Sequence, residues 1–153
     1  MKNGLRFTIL FLLLFSLSAC GASQTETNPA AVIEAMEAKW NAKDVDGVIA
    51  MFAEDAIETN GRGLFYGRED LQDIFTGASN AFSLDCGNYS TFPHRFIPNT
   101  YEVSYECMED FYDSDRLQVE QYQALVTNGL IKANILIAQI PLDQPREIDS
   151  SLP

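Results

Sequence analysis

Histidine is nearly missing from this chain. His94 is the single one in 153 residues. A multi-histidine metal centre is therefore impossible within one copy, and imidazole acid–base chemistry has one candidate. Basic residues are also scarce. Ten Lys and Arg stand against 22 Asp and Glu, for a formal net charge of −12. Such a surface repels phosphate backbones, which excludes nucleic acid as a partner, and it gives anionic lipid headgroups no basic patch. No Ser-His-Asp order or nucleophile elbow is present. Gly61, Gly63 and Gly67 are spaced wrongly for a dinucleotide loop. Bulky Leu64, Phe65 and Tyr66 stand where backbone would have to approach phosphate. The sequence implies no cofactor.

One apolar run stands out. Lys2 and Arg6 precede Phe7 through Phe15, and Leu17-Ser18-Ala19-Cys20 follows. A positive end, a short apolar core and small residues before a cut point make an export leader. The run is shorter than the roughly 20 residues that span a bilayer. The tetrapeptide resembles a bacterial lipobox, which implies cleavage before Cys20 and acylation of that residue. The predicted organisation is a leader over 1–19, a lipidated tether over 20–28, a folded domain over 29–140 and a flexible tail over 141–153. Acyl chains on Cys20 bind the membrane through many methylenes, and the lipid alone is the expected membrane contact. The expected location is the cell envelope. Gly21, where an Asp would favour inner-membrane retention, points to the periplasmic face of an outer membrane if the cell has one. Without the leader, 8 basic residues face 22 acidic ones, a net charge of −14. The other two cysteines, Cys86 and Cys107, form an even pair in an oxidising compartment, and their spacing suits a disulfide between neighbouring strands.

Periodicity divides the domain in two. Asn28-Pro29 reads as an N-cap with proline in the first turn, and Val32, Ile33, Met36 and Trp40 share one helical stripe. Asp44 caps a second, short helix through Val45, Val48, Ile49 and Phe52, ending near Ala53. A short strand is predicted over 56–58 and an extended piece at Leu64-Phe65-Tyr66. After Gly67 a third helix carries Leu71, Ile74, Phe75 and Ala78 on one face. The period then changes to two. Tyr101, Val103, Tyr105 and Cys107 alternate with polar residues; 117–126 is a second long strand; Asn128-Gly129 is a hairpin turn; and 130–140 is a strand apolar on both faces. One more strand is expected around 92–96. Helices followed by a strand meander give an α+β fold, a curved antiparallel sheet around three helices with an apolar hollow.

The run from Trp40 to Ala56, the Gly67-Arg68-Glu69-Asp70-Leu71 helix start and the Val126-to-Ile131 hairpin resemble the SnoaL-like, nuclear transport factor 2-like superfamily. The resemblance implies a cone-shaped fold over about 30–140. It does not fix a reaction, because this fold hosts isomerases, dehydratases, cyclases, hydrolases and binders. Aligned roughly with the superfamily's steroid isomerases, Met36, Asn60 and Tyr122 fall at the catalytic positions. Met36 cannot donate to an oxyanion and Asn60 cannot act as a base, which argues against that activity.

The candidate ligand pocket comprises Trp40, Phe65, Tyr66, Tyr122 and Asn134, and the candidate catalytic groups are Glu120 and His94. Glu120 and Tyr122 share one strand face, where a carboxylate beside a phenol in an apolar hollow would have a raised pKa. The sequence favours an envelope-anchored binder of a small apolar ligand or a protein partner. The alternative is an isomerase, dehydratase or hydrolase acting on a small carbonyl or cyclic substrate, with Glu120 or His94 as base. The two-sided apolar strand 130–140 also suits a homodimer formed through the sheet. Mass spectrometry of the mature protein from its native host should find an amino terminus at Cys20 carrying acyl chains; an intact leader or an unmodified terminus refutes the anchor.

Overall fold

A computed structural model describes residues 28–142 apart from Asp115. The leader, lipidation and tether predictions before residue 28, and the tail beyond 142, lie outside the described residues. Among the described residues, three helices and six strands follow one another as α1 (Pro29–Asn41), α2 (Val45–Ala50), β1 (Phe52–Asn60), β2 (Gly63–Tyr66), α3 (Gly67–Ala78), β3 (Phe82–Pro93), β4 (Thr100–Phe111), β5 (Leu117–Thr127) and β6 (Leu130–Pro141). The strands form one curved sheet in the order β2-β1-β6-β5-β4-β3. This is the SnoaL-like, nuclear transport factor 2-like fold.

Local chemistry sets the helix starts. The Asn28 side chain accepts from the Ala30 N–H at 3.2 Å, and Pro29 gives up no bond by lacking an N–H in the first turn. Asp44 Oδ1 accepts from the Gly47 N–H at 2.9 Å. Gly67 has φ +74°, and a Cβ there would lie 3.1 Å from the Glu54 carbonyl oxygen, so the turn into α3 requires glycine. The helical stripes meet the concave face of the sheet. Ile33, Val48, Phe52, Leu71, Val103 and Ile131 are fully buried there. Trp40 packs edge-on to Phe75 of α3 and tilted on Phe82 of β3, which ties α1 to both elements.

Three expectations need correction. The second helix stops at Ala50, and Phe52 and Ala53 belong to β1, which is nine residues long rather than three. Tertiary pairing overrides the helical spacing of Phe52: its Cα partner is Ile131 of β6, and the Ile131 N–H donates to the Met51 carbonyl at 2.9 Å. The strand expected at 92–96 begins at Phe82 and ends at Pro93. A register shift between Gly87 and Ser90, with Asn88 at φ +55°, breaks the alternation that would have revealed it. Lastly, the sheet is antiparallel except at β1–β6, which pair in parallel. The central place expected of the two-sided strand is found, with β6 between β1 and β5.

Cys86 and Cys107 are directly opposite in the β3–β4 ladder and are disulfide-bonded across 21 positions of sequence. A loop of that size stabilises by about 3 kcal/mol, mainly by restricting the unfolded chain. Reduction with dithiothreitol should lower the urea midpoint by an amount equivalent to about 3 kcal/mol, and the double Cys86→Ser, Cys107→Ser variant should show the same loss without reductant.

Candidate active site

The helices and the concave sheet face enclose a cavity of about 310 Å³. Its upper wall is apolar, with Met36, Trp40, Val48, Phe52, Ile74 and Phe75 among the lining residues. Its floor is polar, because alternation on β4 and β5 turns one set of side chains inward. On β5 these are Gln118, Glu120 and Tyr122; on β4 they are Tyr105, Cys107 and Glu109. The parallel β1–β6 pairing adds Glu58 opposite Asn134.

These groups form two connected units. In one, Tyr105 donates to Asn134 Oδ1 at 2.7 Å, leaving the Asn134 amide N–H to serve Glu58, its hydrogen-bond partner. Glu58 is 3% exposed, and its Oε2 has no partner among the described residues. Burial, and then the nearby Glu120 charge, push the Glu58 carboxyl well above the usual range against the opposing Asn134 bond. Burial thus favours the protonated, neutral form of Glu58.

The other unit centres on Glu120, 3% exposed. Its Oε1 accepts from Gln118 at 2.8 Å and from Gln139 at 2.7 Å, and its Oε2 accepts from the Tyr122 hydroxyl. Gln118 also donates to Glu109 Oε2 at 2.9 Å, while its own carbonyl accepts from Arg116 at 2.6 Å. Glu109 is pushed up to about 8 by burial, then by the charge of Glu120 and by a hydrogen bond with it, against the pull of Arg116 and Gln118. The two carboxyls are hydrogen-bonded neighbours on the cavity floor. The stacked phenols of Tyr105 and Tyr122, 5.4 Å apart, are both held protonated, by burial first and then by neighbouring carboxylates.

Of the residues singled out from sequence, Trp40, Tyr122, Asn134 and Glu120 line this cavity. Trp40 Nε1 donates to the Phe82 carbonyl at 3.2 Å, so the ring serves as a wall and its polar edge is occupied. Phe65 packs half-buried against the core and Tyr66 is 59% exposed; neither lines the cavity, because the four-residue β2 is an edge strand on the far side of β1. His94 is not a cavity residue either. It lies in the β3–β4 loop, where its Nδ1 accepts from the Phe96 and Ile97 N–H groups at 3.2 and 3.1 Å. Met36, Asn60 and Tyr122, the positions aligned with steroid isomerases, all line the cavity, but the acid on β1 is Glu58, two residues before Asn60. Glu58 and Glu109 were not anticipated. Their signal was parity: Glu109 shares the inward phase of Tyr105 and Cys107, and Glu58 shares that of Ala56.

No protein-family model matches the sequence, and neither does any curated protein. Solved structures do match. A Δ5-3-ketosteroid isomerase from a Mycobacterium species superposes with a TM-score of 0.57 at 15% identity, over 72% of this chain and 92% of that one. A candidate scytalone dehydratase from Novosphingobium aromaticivorans gives 0.57 at 13% identity, over 72% and 82%. A ketosteroid isomerase-like protein from Catenulispora acidiphila, solved in complex with trimethylamine, gives 0.54 at 11% identity, over 70% and 84%. At these identities the likeness establishes the fold alone.

The raised carboxyls make stability depend on pH. Between 4.5, the ordinary glutamate value, and about 8, the native state keeps a proton on Glu109 that the unfolded chain has released. Rising pH therefore favours unfolding: this contribution is complete below about 4.5 and is lost by about 8. Glu58 acts in the same direction. The lowered carboxyls of Asp44, Asp55 and Glu106 change stability only below their ordinary values. Urea midpoints should fall from pH 5 to 9, and Glu109→Gln should flatten that slope; a rising midpoint refutes the assignment.

Proposed function

We propose that this chain is an envelope-tethered proton-transfer enzyme of isomerase or dehydratase type. Its substrate is a small, mostly apolar, uncharged compound bearing a carbonyl or hydroxyl oxygen. One observation carries the reading: Glu58, buried with an unengaged oxygen, borders the same cavity as the hydrogen-bonded Glu109–Glu120 pair. A carboxyl raised by burial is suited to act as an acid, and one whose oxygens are enclosed by hydrogen-bond donors to act as a base beside it. Glu58 donates to the substrate oxygen, where negative charge grows as a neighbouring C–H bond breaks. The Glu109–Glu120 pair accepts that proton and returns it to carbon, or to a departing hydroxyl as water. The Tyr122 phenol and the two glutamine amides hold Glu120 in place throughout. The fold's enzymatic members among the similar structures support this class of chemistry, and an anionic compound would meet the Glu120 charge. The envelope placement rests on the leader and on Cys20.

A second reading is binding without turnover, of a small organic cation. The Glu120 carboxylate with the rings of Trp40, Phe82 and Phe111 around the same cavity favours it, since aromatic faces attract cations. The Catenulispora protein's trimethylamine is in keeping with that chemistry.

Deuterium incorporation from D2O into a panel of small cyclic ketones and enones, followed by NMR, separates the readings. The enzyme should catalyse exchange, and Glu58→Gln and Glu120→Gln should each slow it by about 10²–10³-fold with the fold retained. No exchange across the panel, together with a melting temperature raised by tetramethylammonium, establishes the binder.

A further inference from the structure

α1 runs alongside β3 in the opposite direction. At its last turn, Trp40 and Asn41 bond the backbone of Phe82 and Leu84, with Asn41 both donating to and accepting from Leu84 at 2.7 and 2.9 Å. One turn earlier, Glu37 accepts from the Cys86 N–H. After burial, the charges of Glu37 and Glu34 act on Tyr89, further along the strand. Asn28, at the start of the helix, therefore lies toward the end of β3 that leads into residues 94–99, though about 18 Å of helix rise falls short of the roughly 36 Å from Phe82 to Pro93. The cavity reaches the opposite end of the sheet: Gly61 and Arg62 are in the β1–β2 turn, Arg116 precedes β5, and Gln139 is near the close of β6.

The Asn28 end carries exposed apolar bulk. Phe92 is 62% exposed, Phe96 84% and Ile97 43%. These side chains are not on a slack loop. The His94 ring gathers the Phe96 and Ile97 N–H groups onto Nδ1, and its Nε2 lies 4.0 Å from Glu102. Asn128 N–H donates to the Asn99 carbonyl at 3.0 Å, tying the tip to the β5–β6 hairpin, where Leu130 is also exposed. A braced tip of aromatic and aliphatic side chains is costly in water and matches an apolar phase.

We propose that the tip formed by Phe92, Phe96 and Ile97 enters the surface of the lipid bilayer that Cys20 tethers the chain to, so that the domain stands with its cavity mouth turned away from the membrane. The inference rests on the Cys20 anchor. Seven residues, 21–27, separate Cys20 from Asn28 and reach at most about 25 Å when extended. The tip leaves the domain at the same end as this short tether, which holds it at high effective concentration near the lipid. A contact too weak to bind membrane alone is then enough to orient the domain. Exposed Arg95, between His94 and Phe96, lies where the phosphate layer would be as the apolar groups pass it. A charge of −14 on the chain without its leader (8 basic against 22 acidic residues) opposes flat adsorption to an anionic surface and favours contact through a small apolar tip. The structure thus adds a protein contact to the lipid-only attachment expected from the sequence.

The lipidated full-length mature chain carrying Phe96→Trp is reconstituted into phosphatidylethanolamine and phosphatidylglycerol vesicles with brominated acyl chains. Leu64→Trp, at a 50% exposed site in β2 near the cavity end, is the comparison, and the parent with its buried Trp40 is the background. Flotation reports the anchor, and quenching reports the tip. All three proteins should float. The indole introduced at position 96 should lose at least half its emission, and the one at position 64 should keep it. Flotation without quenching at 96 overturns the proposal while leaving the anchor intact, and turns the tip over to a protein partner. Equal quenching at both positions overturns the orientation. Failure to float removes the anchor, and the proposal with it.

Discussion

The parallel pairing of β1 with β6 is the constraint on which the rest of this molecule depends. It joins the helical first half to the meander of the second through Phe52 against Ile131 and Glu58 against Asn134. Without it, β5 and β6 would still form a hairpin, and α1 and α2 could still form from their own caps. The hollow, however, would have no wall on the β1 side, and Glu58 would not share a space with Glu120. β6 is thereby flanked by strands on both sides, with Ile131 and Asn134 buried and Ile137 and Ile140 exposed.

The cavity floor is costly to build. Three carboxyls are placed within reach of one another's fields in a half-apolar space, and burying charge costs several kcal/mol per ion unless it is neutralised or bonded. The fold meets this in two ways. Burial shifts Glu58 and Glu109 toward their protonated forms, and Glu120 is enclosed by donors from Gln118, Gln139 and Tyr122. The disulfide between β3 and β4 and the Trp40–Phe75–Phe82 cluster add stability beside the place where the polar floor takes it away. Such an arrangement has a chemical rationale and a poor structural one, since apolar residues of similar volume would stabilise the same strands at lower cost.

The two ends of the sheet serve different purposes. The cavity reaches the end at the β1–β2 turn and the β4–β5 connection, where charged and amide side chains surround it. The other end gathers the start of α1, the His94-braced loop and the turn at Asn128. His94 thus has a structural task in the loop, and this accounts for its place far from the carboxyls.

Features with local causes were legible in the sequence. Asn28-Pro29 and Asp44 start helices because their side chains or missing N–H groups satisfy the backbone within a few residues. Asn128-Gly129 makes a hairpin because both residues accept positive φ, here 51° and 78°. The Cys86–Cys107 pair and the inward phase of Glu120 and Tyr122 followed from spacing and alternation. Tertiary structure alone decided the rest. Phe52 left its helical stripe because β6 offered it a strand partner, and β3 was hidden by a bulge that shifts the phase of alternation. Glu58 joined Glu120 because pairing between segments far apart in the chain depends on the whole set of strands closing at once. Short-range patterns report what each segment buries; which segments share that buried space is a property of the closed sheet.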